Sequence, residues 1–113
     1  MKFFIVTCIK EYRDDVSRLF KQAEINVFSA TEVVGFKDSG TENILLDWFA
    51  KGEQRFDSLM MFSFTSNESA QKGMELINEY NKATDTNFPV RAFIVPVEAA
   101  NYYQQITPTS IEM

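Results

Sequence analysis

The sequence contains no histidine and only one cysteine, Cys8. Without histidine, the chain cannot build Ser-His-Asp or Cys-His catalytic sites, or zinc sites with histidine ligands. With one cysteine it forms neither an internal disulfide nor a Cys-x-x-Cys site, a pattern that fits a reducing compartment. These absences argue against an enzyme, and we expect a cytoplasmic protein without catalytic activity.

Basic clusters and long apolar runs are missing as well. The 113 residues include 11 Lys and Arg against 16 Asp and Glu, which gives a net charge of −5. No run of basic residues is present to bind a phosphate backbone, so we expect no nucleic-acid partner. No stretch approaches the roughly 20 apolar residues of a membrane span, so we expect no direct membrane insertion.

The residues that are present predict a β-α-β unit, a long excursion and a second β-α-β unit. Strands are predicted by apolar or alternating patterns at residues 3–9, 26–36, 57–64 and 90–97. The first helix is indicated by apolar residues at i, i+3, i+4 and i+7, which are Val16, Leu19, Phe20 and Ala23. The second helix is predicted to begin at the capping-box spacing of residues 65–68 and to end before a polar linker at 81–87. This order predicts an α+β, ferredoxin-like βαββαβ fold, with two helices on one face of an antiparallel four-stranded sheet.

A single domain is expected at residues 1–98, followed by a C-terminal extension at 99–113. The excursion at residues 37–56 is predicted to be a long loop between the second and third strands. Because the first and last strands are apolar on both faces, something other than the helices must cover the second face of the sheet. A homo-oligomer is the simplest cover.

Residues 31–36 read Thr-Glu-Val-Val-Gly-Phe, and residues 14–16 read Asp-Asp-Val. Both segments resemble the PII signalling family of the GlnB-like superfamily, in which Thr-Glu-Val-x-Gly-Phe-Gly precedes a long flexible loop. The resemblance implies a homotrimer that binds a small molecule, such as an adenine nucleotide, in clefts between subunits. It also implies regulation of a partner protein, for which a membrane transporter is one candidate.

In the PII family the cleft combines the base of the long loop with a glycine-rich loop before the last strand. The second loop corresponds here to residues 83–91, which contain no glycine and include Asp85 and Pro89. Glycine frees backbone N–H groups to bind phosphate, so the identity of the ligand stays open. The cleft hypothesis names Gly35, Phe36, Lys37, Phe88 and Arg91. A β-bulge or close packing is a simpler explanation for the glycine in this set.

The excursion carries a cluster of apolar and aromatic residues. Aromatic side chains among leucines are typical of partner-binding surfaces, and long loops are often functional. We therefore consider this cluster a candidate partner-binding loop; the alternative is that it packs on the trimer or extends the hairpin. Its members are Ile44, Leu45, Leu46, Trp48 and Phe49.

The second half of the chain resembles a sister family, CutA. Trp48 followed by residues 51–53 looks like the CutA Trp-x-Gly-Lys-x-Glu hairpin, and residues 89–97 resemble its last strand. The alternative function is therefore a CutA-like trimer associated with tolerance of divalent metal ions. Cys8, Met60 and Met61 suggest no shared metal site, because alternation in a strand points the two methionines to opposite faces.

Overall fold

The computed structural model describes residues 1–36 and 55–101, and at residues 35, 36 and 55–57 it describes the backbone alone. These residues form four strands, two helices and a single 3₁₀ turn that follows the first strand. In chain order the elements are β1 (Lys2–Ile9), the 3₁₀ turn (Lys10–Tyr12), α1 (Arg13–Gln22), β2 (Ser29–Phe36), β3 (Arg55–Thr65), α2 (Asn67–Thr84) and β4 (Arg91–Pro96).

The strands form one sheet in the order β2-β3-β1-β4, and every neighbouring pair is antiparallel. The two central strands, β1 and β3, come from different halves of the chain. Each half therefore contributes one inner and one outer strand, which is the split β-α-β arrangement. The predicted α+β, ferredoxin-like fold is confirmed.

Both helices pack on the same face of this sheet. Alternate residues of β1, namely Phe4, Val6 and Cys8, are buried on that face. The ring of Phe4 lies 5.6 Å from the ring of Phe20 of α1, measured between centroids. The backbone of α2 lies directly over Phe4 at Gly73. The buried core consists of Phe4, Val6, Cys8, Val16, Phe20, Ala23, Ile25, Leu59, Met61, Ala70, Ile77 and Val90.

The first helix follows its predicted pattern. Val16 and Phe20 are buried, and the acidic Asp14 and Asp15 occupy the first turn, where the positive end of the helix dipole stabilises negative charge. The predicted start of the second helix is wrong by one residue. Ser66 is the N-cap, and its hydroxyl oxygen accepts a hydrogen bond from the amide of the third residue after it.

Three further predicted boundaries are also corrected. β2 begins at Ser29, three residues later than expected, and β3 begins at Arg55, inside the region predicted to be a loop. α2 continues through the first part of the predicted polar linker to Thr84, where Asp85 adopts a left-handed conformation and ends the helix. The bounds of β2 and β3 are set by the pairing of their backbones. The polar side chains near these bounds do not indicate that pairing in the sequence.

Gly35 does not form a β-bulge. The register of β2 and β3 is unbroken from Ser29, opposite Phe62, to Phe36, opposite Arg55. A bulge would place two residues of one strand opposite one residue of the other. The bulge explanation of this glycine is therefore wrong.

Candidate functional site

The second face of the sheet is mainly apolar, and no described helix covers it. Residues directly opposite each other in antiparallel strands share a face, so the register defines this surface. We call it the open face. Its apolar members are Phe3, Ile5 and Ile9 of β1, Val33 of β2, Met60, Phe62 and Phe64 of β3, and Phe93 and Val95 of β4.

On the open face, Phe3 contacts two other phenylalanines. The Phe3 ring stacks on Phe64 at 4.7 Å and meets Phe62 edge-on at 5.7 Å between centroids. Phe64 nevertheless remains 51% exposed, and Val95 remains 41% exposed. Phe3 and Phe64 lie on the face opposite the helix-covered core. Exposed apolar faces of this kind are typical of interaction surfaces.

The structure places the predicted cleft residues on opposite edges of the sheet. Gly35 and Phe36 end β2, which is one edge strand. Arg91 begins β4, the other edge strand, and Phe88 lies half-buried just before it. Lys37 lies outside the described residues.

Within one chain, Gly35 and Arg91 are far apart. Two strands separate β2 from β4, so three interstrand steps give about 14 Å across the sheet. Arg91 pairs with Thr7, Thr7 pairs with Met60, and Met60 pairs with Thr31, so Arg91 and Thr31 lie at the same height on the sheet. Gly35 lies about 13 Å beyond Thr31 along β2. One chain does not bring the predicted cleft together, so a cleft that contains both edges needs a second copy.

The candidate partner-binding residues from Ile44 to Phe49 lie outside the described residues. The structure shows how the ends of that segment are held. Residues 36 and 55 are the last paired positions of β2 and β3. The segment between them therefore leaves from one end of a paired two-strand ribbon.

Two tyrosines connect the 3₁₀ turn, α1 and α2. The Tyr80 hydroxyl donates a hydrogen bond of 2.7 Å to Oδ2 of Asp15, and the rings of Tyr12 and Tyr80 meet edge-on at 5.6 Å. The hydrogen bond from Tyr80, followed by that from Arg18, holds the pKa of Asp15 below its usual value. Burial, followed by the bond to Asp15, raises the pKa of Tyr80. The pair therefore stays an ionised acceptor and a neutral donor around neutral pH, as a structural contact does.

Nothing in the sequence indicated these contacts, because the partners are distant along the chain. Tyr80 lies 65 residues from Asp15, and Tyr12 lies 74 residues from Thr86, whose side chain accepts its hydroxyl hydrogen bond. No short motif joins such residues. They became neighbours when α1 and α2 packed side by side on one face of the sheet.

Cys8 is part of the core and is not poised for chemistry. Its side chain is buried on the helix face, and burial raises the pKa of the thiol to about 12. Met61 is buried on the same face, whereas Met60 lies on the open face, so their predicted divergence is confirmed. Within residues 1–36 and 55–101, no group of three or more Cys, Asp or Glu side chains could hold a metal ion.

In the described part of the chain, neither helix combines the length and the apolar character needed to cross a membrane.

Comparisons with known proteins support the fold. No protein-family model matches the chain, and no curated protein matches its sequence. One similar solved structure is the crystal structure of a "putative PII-like signaling protein" from Thermus thermophilus. The two share 12% sequence identity with a TM-score of 0.60, over 90% of this chain and 91% of that chain.

The architecture and this likeness define the class of the protein. The four-stranded antiparallel sheet with two helices on one face is a ferredoxin-like α+β fold. Within that class, the chain has the PII-like form of the fold, which it shares with the Thermus protein over nearly its whole length.

Proposed function

We propose that this protein is a non-catalytic, PII-like signalling protein. It acts in the cytoplasm as a homotrimer, senses a small molecule in clefts between subunits, and regulates a partner protein through residues 37–56. The PII-like fold and the resemblance of residues 31–36 to the PII pattern support this proposal.

The open face is the observation that carries the proposal. It presents nine apolar side chains on the four strands, two of them more than 40% exposed. Apolar burial contributes roughly 25 cal/mol per Å², so packing this surface against another copy provides the driving force for assembly. The number of three subunits comes from the resemblance to the PII family.

The separation of the predicted cleft residues supports a ligand site between subunits. Gly35 and Arg91 lie on opposite edges of one sheet. When copies pack through their open faces, the β2 edge of one copy is available to approach the β4 edge of another. A ligand in such a cleft would contact both edges and would thereby stabilise the assembled form.

Transmission to the partner is assigned to residues 37–56, which contain the apolar cluster from Ile44 to Phe49. Because β2 and β3 hold the ends of this segment, a ligand at Gly35 would shift its population of conformations. A membrane transporter is one candidate partner. The absence of histidine and the protonated, buried thiol of Cys8 support a role without catalysis.

The oligomeric state in solution tests this proposal. We expect multi-angle light scattering to report three times the monomer mass of 13.0 kDa for the wild type. Phe64→Glu places a charge in the open face and should give a folded monomer, because Phe64 is half exposed in a single chain. Val27→Glu is the matched control, since Val27 is 83% exposed and lies outside the strands. A monomeric wild type would overturn the proposal.

Thermal shift distinguishes the signalling function from the CutA-like alternative. A melting temperature that rises with Cu²⁺ or Zn²⁺ and with no other small molecule would favour the metal-linked trimer. A melting temperature that rises with an organic small molecule in the wild type, but not in the monomeric Phe64→Glu variant, supports the proposed small-molecule sensor.

A further inference from the structure

The segment between α2 and β4, residues 85–90, is anchored by Asn81. The side-chain amide nitrogen of Asn81 donates a hydrogen bond of 2.8 Å to the carbonyl oxygen of Val90. The side-chain oxygen of Asn81 accepts a bond of 2.8 Å from the amide of Val90. One side chain on α2 therefore pairs both polar backbone groups of this residue, as a neighbouring strand does. Val90 is buried in the core, and both bonds are partly buried.

Thr86 provides a second anchor at the other end of the segment. Its hydroxyl oxygen accepts a 2.9 Å bond from the amide of Phe88 and a 2.6 Å bond from the Tyr12 hydroxyl. Tyr12 belongs to the 3₁₀ turn after β1, and its ring packs edge-on against Tyr80 of α2. The segment is thus tied to two separate elements, the turn and α2.

These contacts use most of the backbone donors of the segment. The amides of Asp85, Phe88 and Val90 all donate to groups of the same chain, and Pro89 has no amide hydrogen. At most two donors, those of residues 86 and 87, are left for an anion. Phosphate-binding loops instead direct several successive amides at one point.

The local charge also opposes an anion. Asp85 is exposed and follows the C-terminus of α2, where the helix dipole presents partial negative charge. No Lys or Arg occurs at residues 83–90. The flanking basic residues, Lys82 and Arg91, lie in α2 and β4 rather than in the segment.

We infer that residues 85–90 form a latch, closed by side chains of the same chain, and not an anion-binding loop. The latch joins the first turn after β1 to α2, directly before β4 begins, and keeps one conformation with or without ligand. The inference rests on the proposed function in one respect, because it concerns the ligand of the proposed cleft. That ligand is recognised without phosphate contacts to this segment, so it is not a nucleotide held there by its phosphates.

Amide hydrogen exchange of the full-length protein, followed by NMR, tests the latch. We expect the amides of Phe88 and Val90 to exchange slowly in the free protein. Asn81→Ala should raise exchange at Val90 by about tenfold or more, the equivalent of one lost hydrogen bond. Asn78→Ala is the matched control, because Asn78 is exposed on the same helix and the substitution is chemically identical. If Asn81→Ala does not fold, Tyr12→Phe is the second test variant. It removes a single hydroxyl and should raise amide exchange at Phe88.

Titration with ATP, ADP and inorganic phosphate completes the test. We expect no saturable rise in melting temperature and no change in exchange at residues 85–90. Saturable binding of ATP that slows exchange in this segment would overturn the inference, as would fast exchange at Val90 in the free wild type. A monomeric wild type with slow exchange at Val90 would refute the proposed trimer and leave the latch standing, so the two failures are distinguishable.

Discussion

Gly73 of α2 lies directly against the ring of Phe4 of β1. A Cβ atom at Gly73 would lie 2.8 Å from Cε2 of Phe4 and 2.9 Å from Cζ. The ring is fully buried and also contacts Phe20, so it has little room to move. The absence of a side chain at this position lets α2 approach the centre of the sheet.

This contact predicts that Gly73→Ala destabilises the protein by about 1–3 kcal/mol, because the added methyl group overpacks the core. Whether the free energy of unfolding falls or rises distinguishes the two cases, since Gly→Ala at an unconstrained helix position stabilises by about 1 kcal/mol. Urea denaturation measures the change. Combining Gly73→Ala with Phe4→Leu, which removes the clashing ring atoms, should cost less than the sum of the two single changes. If the losses in the free energy of unfolding from the two substitutions simply add, the contact between Gly73 and Phe4 is contradicted.

Two serines on β3 form a matched pair with opposite expected outcomes. Ser58 is fully buried, and its hydroxyl has no hydrogen-bond partner among the residues that the structure describes. The Ser63 hydroxyl donates a 2.6 Å bond to the carbonyl oxygen of Val27. We expect Ser63→Ala to lower the free energy of unfolding by about 1 kcal/mol, and Ser58→Ala to leave it unchanged or raise it. Equal losses in thermal denaturation would show that Ser58 has a partner in solution.

The bond between Tyr80 and Asp15 predicts a stability contribution confined to a pH window. The folded-state pKa of Asp15 lies below its ordinary value of 3.8, so this contribution is present above about pH 4 and is lost as acid protonates the carboxylate. The folded-state pKa of Tyr80 lies above its ordinary value of 10.0, so the contribution declines above about pH 10, where the unfolded chain releases its proton.

Melting temperatures of wild type and Tyr80→Phe across pH 3–11 check this window. Their difference should be largest from about pH 5 to pH 9 and should shrink at both ends. Asp15→Asn is the companion variant, and it should flatten the acid side of the profile. A difference that does not vary with pH would exclude the ion–hydroxyl contact as its source.

The buried thiol of Cys8 predicts very slow labelling. Burial raises its pKa to about 12, so very little of the protein carries a thiolate at pH 8. We expect Ellman's reagent to react slowly with the native protein and at once after unfolding in guanidinium chloride. Fast reaction of the native state would place Cys8 outside the core.

Much of the fold could be predicted from residue patterns. The apolar run at residues 3–9 predicted the first strand, and the spacing of Val16 and Phe20 predicted the buried face of α1; both are confirmed. Boundaries were less predictable. Thr65 and Ser66 are equally good N-cap residues in sequence, but the pairing of Thr65 with Lys2 keeps it in β3 and leaves the cap to Ser66.

The candidate site was less predictable than the fold. The sequence identified Gly35 and Arg91, but not that they lie on opposite edges of the sheet, because strand order depends on pairing between distant segments. It also identified the lack of glycine at residues 83–91, but not the bonds from Tyr12 and Asn81 that close this segment.

The sequence by itself determined which elements form, because hydrophobic periodicity and capping chemistry act over a few neighbouring residues. It also determined that the sheet has two apolar faces. Only the tertiary structure decided which face the helices cover, and with it that Phe4 is buried while Phe64 remains half exposed. The physical reason is that the helices pack against Phe4 and not against Phe64. Which residues the helices cover depends on contacts between parts of the chain that are far apart in sequence.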